Sequence, residues 1–99
     1  MTDQFIAGFF SADGYFSKQV NSGRYYFSIG VKKKIESKQL LTDIKEYLEI
    51  GSITECNGYI SYRITKRKEL DVFIDRICPL LQGYKMVQFN NWIEELRSN

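Results

Sequence analysis

The sequence predicts an α+β domain: helices cover one face of a four-stranded antiparallel sheet, and the other face is concave, polar and basic. Three observations predict it. Apolar residues recur at helical spacing in four segments and alternate in four others, short turns join the alternating segments into hairpins, and cations are segregated from acids along the chain.

Thr2 is placed to cap a first helix in which Phe5, Ile6, Phe9 and Phe10 recur at helical spacing until Asp13-Gly14 stops it. Residues 14–20 then alternate, with Phe16, Lys18 and Val20 on one side and Tyr15, Ser17 and Gln19 on the other. Asn21-Ser22-Gly23 turns the chain into a second alternating run, 24–34. Tyr25, Phe27, Ile29 and Val31 share its apolar side, and Tyr26, Ser28, Gly30 and Lys32 lie opposite. A helix over 35–48 follows, its stripe formed by Leu40, Leu41, Ile44, Tyr47 and Leu48, with Gly51 ending the segment. Strands over 52–55 and 59–65 flank Asn57-Gly58, a strong hairpin signal, with Ile53, Ile60, Tyr62 and Ile64 facing inward. A third helix starts near Arg67, carries Leu70, Phe73, Ile74 and Ile77, and stops near Cys78-Pro79. The last helix, 85–97, buries Phe89, Trp92, Ile93 and Leu96, giving the order α-β-β-α-β-β-α-α.

Composition narrows the function. Ninety-nine residues, 43% hydrophobic and 26% charged, suit one folded domain over residues 1–99 with one modest core. No stretch reaches the ~18 apolar residues of a membrane helix, and the start lacks a basic leader, so an intracellular protein without membrane partners is expected. Cys56 and Cys78 are too few for a disulfide framework. The absence of His removes Ser/His/Asp triads and the usual zinc sites, leaving Asp, Glu, Lys or a carboxylate-bound metal as sources of chemistry.

The net charge of +2 hides a division. Lys18, Arg24, Lys32, Lys33 and Lys34 occur between Gly14 and Ile35 without one acid, and Arg63, Lys66, Arg67 and Lys68 repeat this over 56–68. Clustered Lys and Arg bind polyanions by displacing counterions, so one positive face is expected.

The string Ile6-Ala7-Gly8-Phe9-Phe10-Ser11-Ala12-Asp13-Gly14 resembles the nine-residue motif of the LAGLIDADG homing endonucleases. Ala7, Gly8, Ala12, Asp13 and Gly14 are identical to the name motif, Ile6, Phe9 and Phe10 keep its apolar character, and Ser11 replaces its first Asp. The element order also matches, and Pro79-Leu80-Leu81, Lys85 and Gln88-Phe89 look like the family's C-terminal Pro-Leu, Lys and Phe region. A glycine inside a helix costs ~1 kcal/mol against alanine, a loss that close approach of a second helix offsets.

The resemblance implies that two copies pair through Gln4, Ala7, Gly8 and Ser11 as a homodimer, carrying two Asp13 carboxylates to one end of the interface. Half of a heterodimer or of a two-motif enzyme is the alternative assembly. Asp13 and the backbone carbonyl of Ala12 would then ligate Mg²⁺ or another divalent cation, with Asp13 and Lys85 as catalytic residues. The implied activity is staggered double-strand cleavage of a roughly palindromic site in double-stranded DNA. Val31 is the nearest match to a polar residue that orders water in many relatives. Val31 and Ser11 both favour the alternative of a non-cleaving binder, such as an intron maturase or a regulator.

Strand parity selects the surface that would read DNA: Tyr15, Ser17, Gln19 and Asn21, then Tyr26, Ser28, Gly30 and Lys32, then Ser52, Thr54, Tyr59, Ser61, Arg63 and Thr65. That face has no carboxylate. Arg63 suits guanine and Gln19 adenine, while Arg24 belongs to the same basic block and Lys33, Lys34, Lys66, Arg67 and Lys68 would neutralise phosphates at the rim.

Overall fold

Thr2 starts helix α1 (Asp3–Asp13) by accepting the Phe5 N–H on its hydroxyl oxygen at 3.0 Å, satisfying a donor that a helix start leaves unpaired. The computed structural model describes residues 1–98. After α1 come β1 (Tyr15–Asn21), β2 (Arg24–Lys34), a 3-10 turn (Ile35–Ser37) and α2 (Lys38–Leu48). Then follow β3 (Ser52–Cys56), β4 (Tyr59–Ile64), α3 (Arg67–Arg76), a second 3-10 turn (Cys78–Leu80) and α4 (Tyr84–Arg97). The expected α+β order holds, with small shifts in bounds. The first hairpin turn contains only Ser22 and Gly23, at φ 54° and 78°, so Asn21 joins β1. Asn57 and Gly58 repeat that conformation at φ 51° and 79°, the pairing of positive φ values that suits the twist of a two-residue hairpin.

The sheet order is β1-β2-β4-β3, every neighbour antiparallel, so the two hairpins join along the central β2–β4 ladder. Residues paired across an antiparallel ladder share a face. Phe16, Ile29 and Ile64 therefore point one way together, as do Val31, Tyr62 and Ile53, and this is the side the helices cover. Phe10 anchors α1 there, with ring centroids 4.9 Å from Phe73 and 6.4 Å from Tyr62. Burial pushes the Tyr62 phenol well above its usual range, so its hydroxyl stays a donor and reaches the Ile50 carbonyl at 2.7 Å. Trp92 fixes α4 over the first hairpin, 5.4 Å from Phe16 and 5.9 Å from Phe27, and donates its indole N–H to the Ser17 carbonyl at 2.9 Å.

The start of α1 is clipped to α2 and α3. Arg76 donates from Nε to both carboxylate oxygens of Asp3 at 3.1 and 3.0 Å, and the Tyr47 hydroxyl donates to the same carboxylate at 2.9 Å. The Arg76 hydrogen bond first, and the Tyr47 one second, hold the Asp3 carboxyl below its ordinary value of 3.8. A group lowered in the folded state contributes stability above its unfolded pKa and loses it as pH falls through the folded value. The melting temperature of the native chain should therefore fall more between pH 7 and about pH 3 than that of Asp3→Asn. Parallel pH profiles would show the clip to be energetically silent.

Candidate catalytic and nucleic-acid site

The site begins at the C-terminal end of α1. The Gly14 N–H donates to the Phe10 carbonyl at 2.9 Å, and helix geometry leaves the Ala12 carbonyl beyond the helix's own donors. The helix dipole adds negative potential at this end, and Asp13 adds a carboxylate whose side chain is 40% exposed. Two cations converge on it. Lys33 Nζ lies 3.5 Å from Asp13 Oδ2, and Lys85, from the first turn of α4, donates to the Gly14 carbonyl at 2.6 Å. Lys85 thus grips the junction where helix becomes strand, at the residue after Asp13.

Lys33 corrects one expectation. The run of lysines suggests the phosphate-facing rim, but its ladder partner is the fully buried Ile60, so Lys33 belongs to the helix side of the sheet and turns to Asp13. Val31 is 0% exposed opposite Tyr62, so it packs in the core and orders no water beside the acid. The strand residue that brings a polar group to that corner is Lys33, two residues on and on the same face. The alternation of β2 contained this signal, because Lys33 shares the parity of Ile29 and Val31.

Ala12 and Asp13 offer hard oxygen donors, the kind Mg²⁺ prefers. Among the described residues no group of three or more His, Cys, Asp or Glu could hold a metal. One chain supplies a carboxylate and a carbonyl at this corner. Two copies would supply two of each, leaving positions for water and phosphate oxygens, and in that sense the residues fit a divalent cation.

The outward face of α1 differs from the expected patch. Ala7 is 1% exposed, packed into its own core. The Ser11 hydroxyl is consumed internally, donating to the Ala7 carbonyl at 2.7 Å and accepting the Gln82 N–H at 3.0 Å, which ties α1 to the segment before α4. Small side chains here serve close packing against the chain's own core as well as any partner. Gln4, Phe5, Gly8 and Ala12 form the exposed stripe, with Phe5 48% exposed and nothing of the same chain within 4 Å of a Cβ built on Gly8. Of the four residues expected to meet a partner, Gln4 and Gly8 are exposed, Ala7 is buried in its own chain, and the Ser11 hydroxyl is engaged within it. Helical spacing of 4, 8 and 12 was the available signal.

On the open face the ladder aligns Tyr15, Gly30, Arg63 and Ser52 in one row across all four strands. Ser17–Ser28, Gln19–Tyr26 and Asn21–Arg24 extend it along the first hairpin, and Lys32–Ser61–Thr54 and Lys34–Tyr59–Cys56 along the second. None of these residues is acidic. Glu55 falls on the other parity, opposite Ile60, and pairs with Lys38 at 3.2 Å. Lys32 lies over the Tyr59 ring at 4.9 Å. Thr65, Lys66 and Lys68 are exposed beyond the end of β4, and Arg67 there pairs with Asp71 at 3.4 Å. Cys56 was not anticipated on this face.

A family model described as LAGLIDADG endonuclease matches residues 6–96. The chain belongs to that family. Solved structures agree: the LAGLIDADG meganuclease I-AabMI, bound to uncleaved DNA, superposes with a TM-score of 0.88 at 25% identity, covering 95% of this chain and 35% of that one. I-CpaMI, also bound to uncleaved DNA, gives 0.87 at 26% identity over 98% and 36%. The homing endonuclease I-GzeII, in complex with its DNA target, gives 0.85 at 27% identity over 99% and 37%. The chain spans about a third of the length of these meganucleases. No curated protein is significantly similar to it. Among the described residues no helix is long and apolar enough to cross a membrane.

Proposed function

We propose that two copies of this chain form a sequence-specific homing endonuclease that makes staggered double-strand breaks in a roughly palindromic DNA site, using Mg²⁺ or another divalent cation. The observation that carries the reading is Asp13. It stands exposed at the end of a helix whose outward stripe is Gln4, Phe5, Gly8 and Ala12, beside a sheet face without carboxylates. Pairing two such helices about a two-fold axis brings two Asp13 to the same end of the interface. The DNA complexes of I-AabMI, I-CpaMI and I-GzeII support DNA as the partner of this fold.

Each residue then has a task. Asp13 and the Ala12 carbonyl of both copies would hold the cation. Its chemistry is Lewis-acid activation of water and stabilisation of the leaving oxygen, which suits a chain without histidine. Lys85 fixes the helix-to-strand junction through the Gly14 carbonyl, so the carboxylate stays aligned with the first strand of the reading surface. Lys33, from the helix side of the sheet, holds one Asp13 oxygen and adds positive charge beside the acid. Tyr15, Ser17, Gln19, Asn21, Arg24, Tyr26, Ser28, Lys32, Ser52, Thr54, Tyr59, Ser61, Arg63 and Thr65 face the grooves. Lys34, Lys66, Arg67 and Lys68 meet phosphates.

Incubation with a randomised duplex library and Mg²⁺, followed by sequencing of the ends, tests this: paired offset breaks in a near-palindrome are expected. DNA bound but never cut supports the second reading, a non-cleaving nucleic-acid binder such as a maturase or regulator. The Lys33–Asp13 ion pair favours that reading, because it engages the carboxylate that cleavage requires. Either reading demands counterion release. With six to ten phosphate contacts per dimer, affinity should drop about 10³–10⁵-fold between ~50 and ~200 mM salt, and a flat titration by gel shift would contradict both.

A further inference from the structure

We infer that Tyr15 is a specificity-determining positioning residue, which fixes the Arg63 guanidinium so that its two terminal nitrogens address a guanine in the base pairs nearest the cut. The inference rests on the DNA-binding reading above. Its basis is one row of the sheet. Tyr15 pairs with Gly30, and Gly30 with Arg63, so two large side chains on β1 and β4 are separated by a residue with none. A Cβ at Gly30 would stand 2.5 Å from the Tyr15 hydroxyl oxygen and 2.7 Å from Cζ, so the glycine makes the room through which the phenol crosses β2. Glycine in a central strand is unfavourable unless something approaches its backbone closely, and here the Tyr15 ring does so, as does the Tyr62 carbonyl oxygen at 2.7 Å from the same Cβ.

The phenol oxygen accepts a hydrogen bond from Arg63 Nε at 3.4 Å. Guanidinium carries five N–H donors in a rigid fork, and occupying Nε leaves the four on the terminal nitrogens. Arginine can meet the guanine O6/N7 edge side-on, through Nε and one terminal nitrogen, or end-on, through both terminal nitrogens. The Tyr15 contact selects the end-on pose. No carboxylate among the described residues pairs with Arg63, which borders a hollow of about 440 Å³ lined on the open face by Gln19, Tyr26, Ser28 and Thr65 and toward the core by Leu70 and Leu96. Tyr15 stands two residues after Asp13, so this row is the part of β1 adjacent to the acidic corner. The base it serves therefore lies close to the scissile phosphate. Prior restraint of a long, rotamer-rich side chain lowers the ordering cost that base contact would otherwise carry.

The test is selection from randomised duplexes without divalent cation, using the native chain, Tyr15→Phe and Arg63→Ala, followed by affinities for the selected duplex and its single-base variants. The native chain should prefer guanine about 5- to 100-fold at one symmetric pair of positions. Arg63→Ala should erase that preference. Tyr15→Phe keeps the ring but not the acceptor, and should reduce the preference at that pair about 2- to 10-fold while the rest of the motif persists. A Tyr15→Phe motif identical in strength at every position would overturn the inference alone. Guanine preference surviving in Arg63→Ala would also overturn it, and failure of the native chain to bind any duplex would overturn the DNA-binding reading beneath it.

Discussion

Asp13→Asn is expected to abolish double-strand cleavage while the chain still folds and still binds DNA. Asparagine matches aspartate in shape, so the end of α1 and the Lys85 grip on Gly14 should be kept. The Lys33–Asp13 pair that is lost is partly exposed on both sides, a setting in which ion pairs add little stability. Among the described residues no group of three or more metal-ligating side chains stands ready to replace the lost carboxylate. Lewis-acid assistance contributes several kcal/mol to such displacements, so single-turnover cleavage should slow by about 10³-fold or more. Single-turnover assays on the selected duplex, with gel shifts in Ca²⁺, check both halves of the expectation. Equal cleavage by the two proteins would remove Asp13 from the mechanism.

The second large effect is expected at Gly8. Gly8 is exposed and a Cβ there meets nothing of its own chain within 4 Å, so Gly8→Leu falls at an open surface position of the subunit and should stabilise α1 by somewhat less than the ~0.8–1 kcal/mol of helix propensity that separates glycine from alanine. The same change places two leucines where paired helices would approach through their backbones. Overpacking costs about 1–3 kcal/mol per site, and a two-fold interface contains the site twice, so the dimer should weaken by about 30-fold to 10⁴-fold. A raised melting temperature together with loss of dimer on DNA, read by thermal unfolding and sedimentation, is the expected pattern. A dimer undisturbed by Gly8→Leu would show that subunits meet elsewhere.

What was legible in the sequence was local. The whole of β2, the Asn57-Gly58 turn and the Thr2 cap are set by alternation, positive φ and a single side-chain acceptor, all readable within a few residues. The acidic corner was legible too, because Asp13-Gly14 marks a helix end and Lys85 precedes an amphipathic run. The rotation of α1 was not. Small residues allow close approach either to the chain's own core or to a partner, and only tertiary packing shows that Ala7 and Ser11 serve the first and Gly8 and Ala12 are free for the second. The Ser11–Gln82 hydrogen bond joins residues 71 positions apart and has no local signature. Lys33 is a different case. A run of three lysines reads as one charged block, yet alternate residues of a strand face opposite ways, which sends Lys32 and Lys34 to the open surface and Lys33 to the acid. The role of Gly30 needed the β2–β4 register, a long-range pairing that neither hairpin dictates.

The claim on which the rest depends is that α1 pairs with a second α1 on DNA. The mass of the complex between this chain and its selected duplex, measured without divalent cation, addresses it most directly. Two chains on each duplex, reduced to one or none by Gly8→Leu, is the expected result. A single chain occupying the full site at saturating protein would contradict the account.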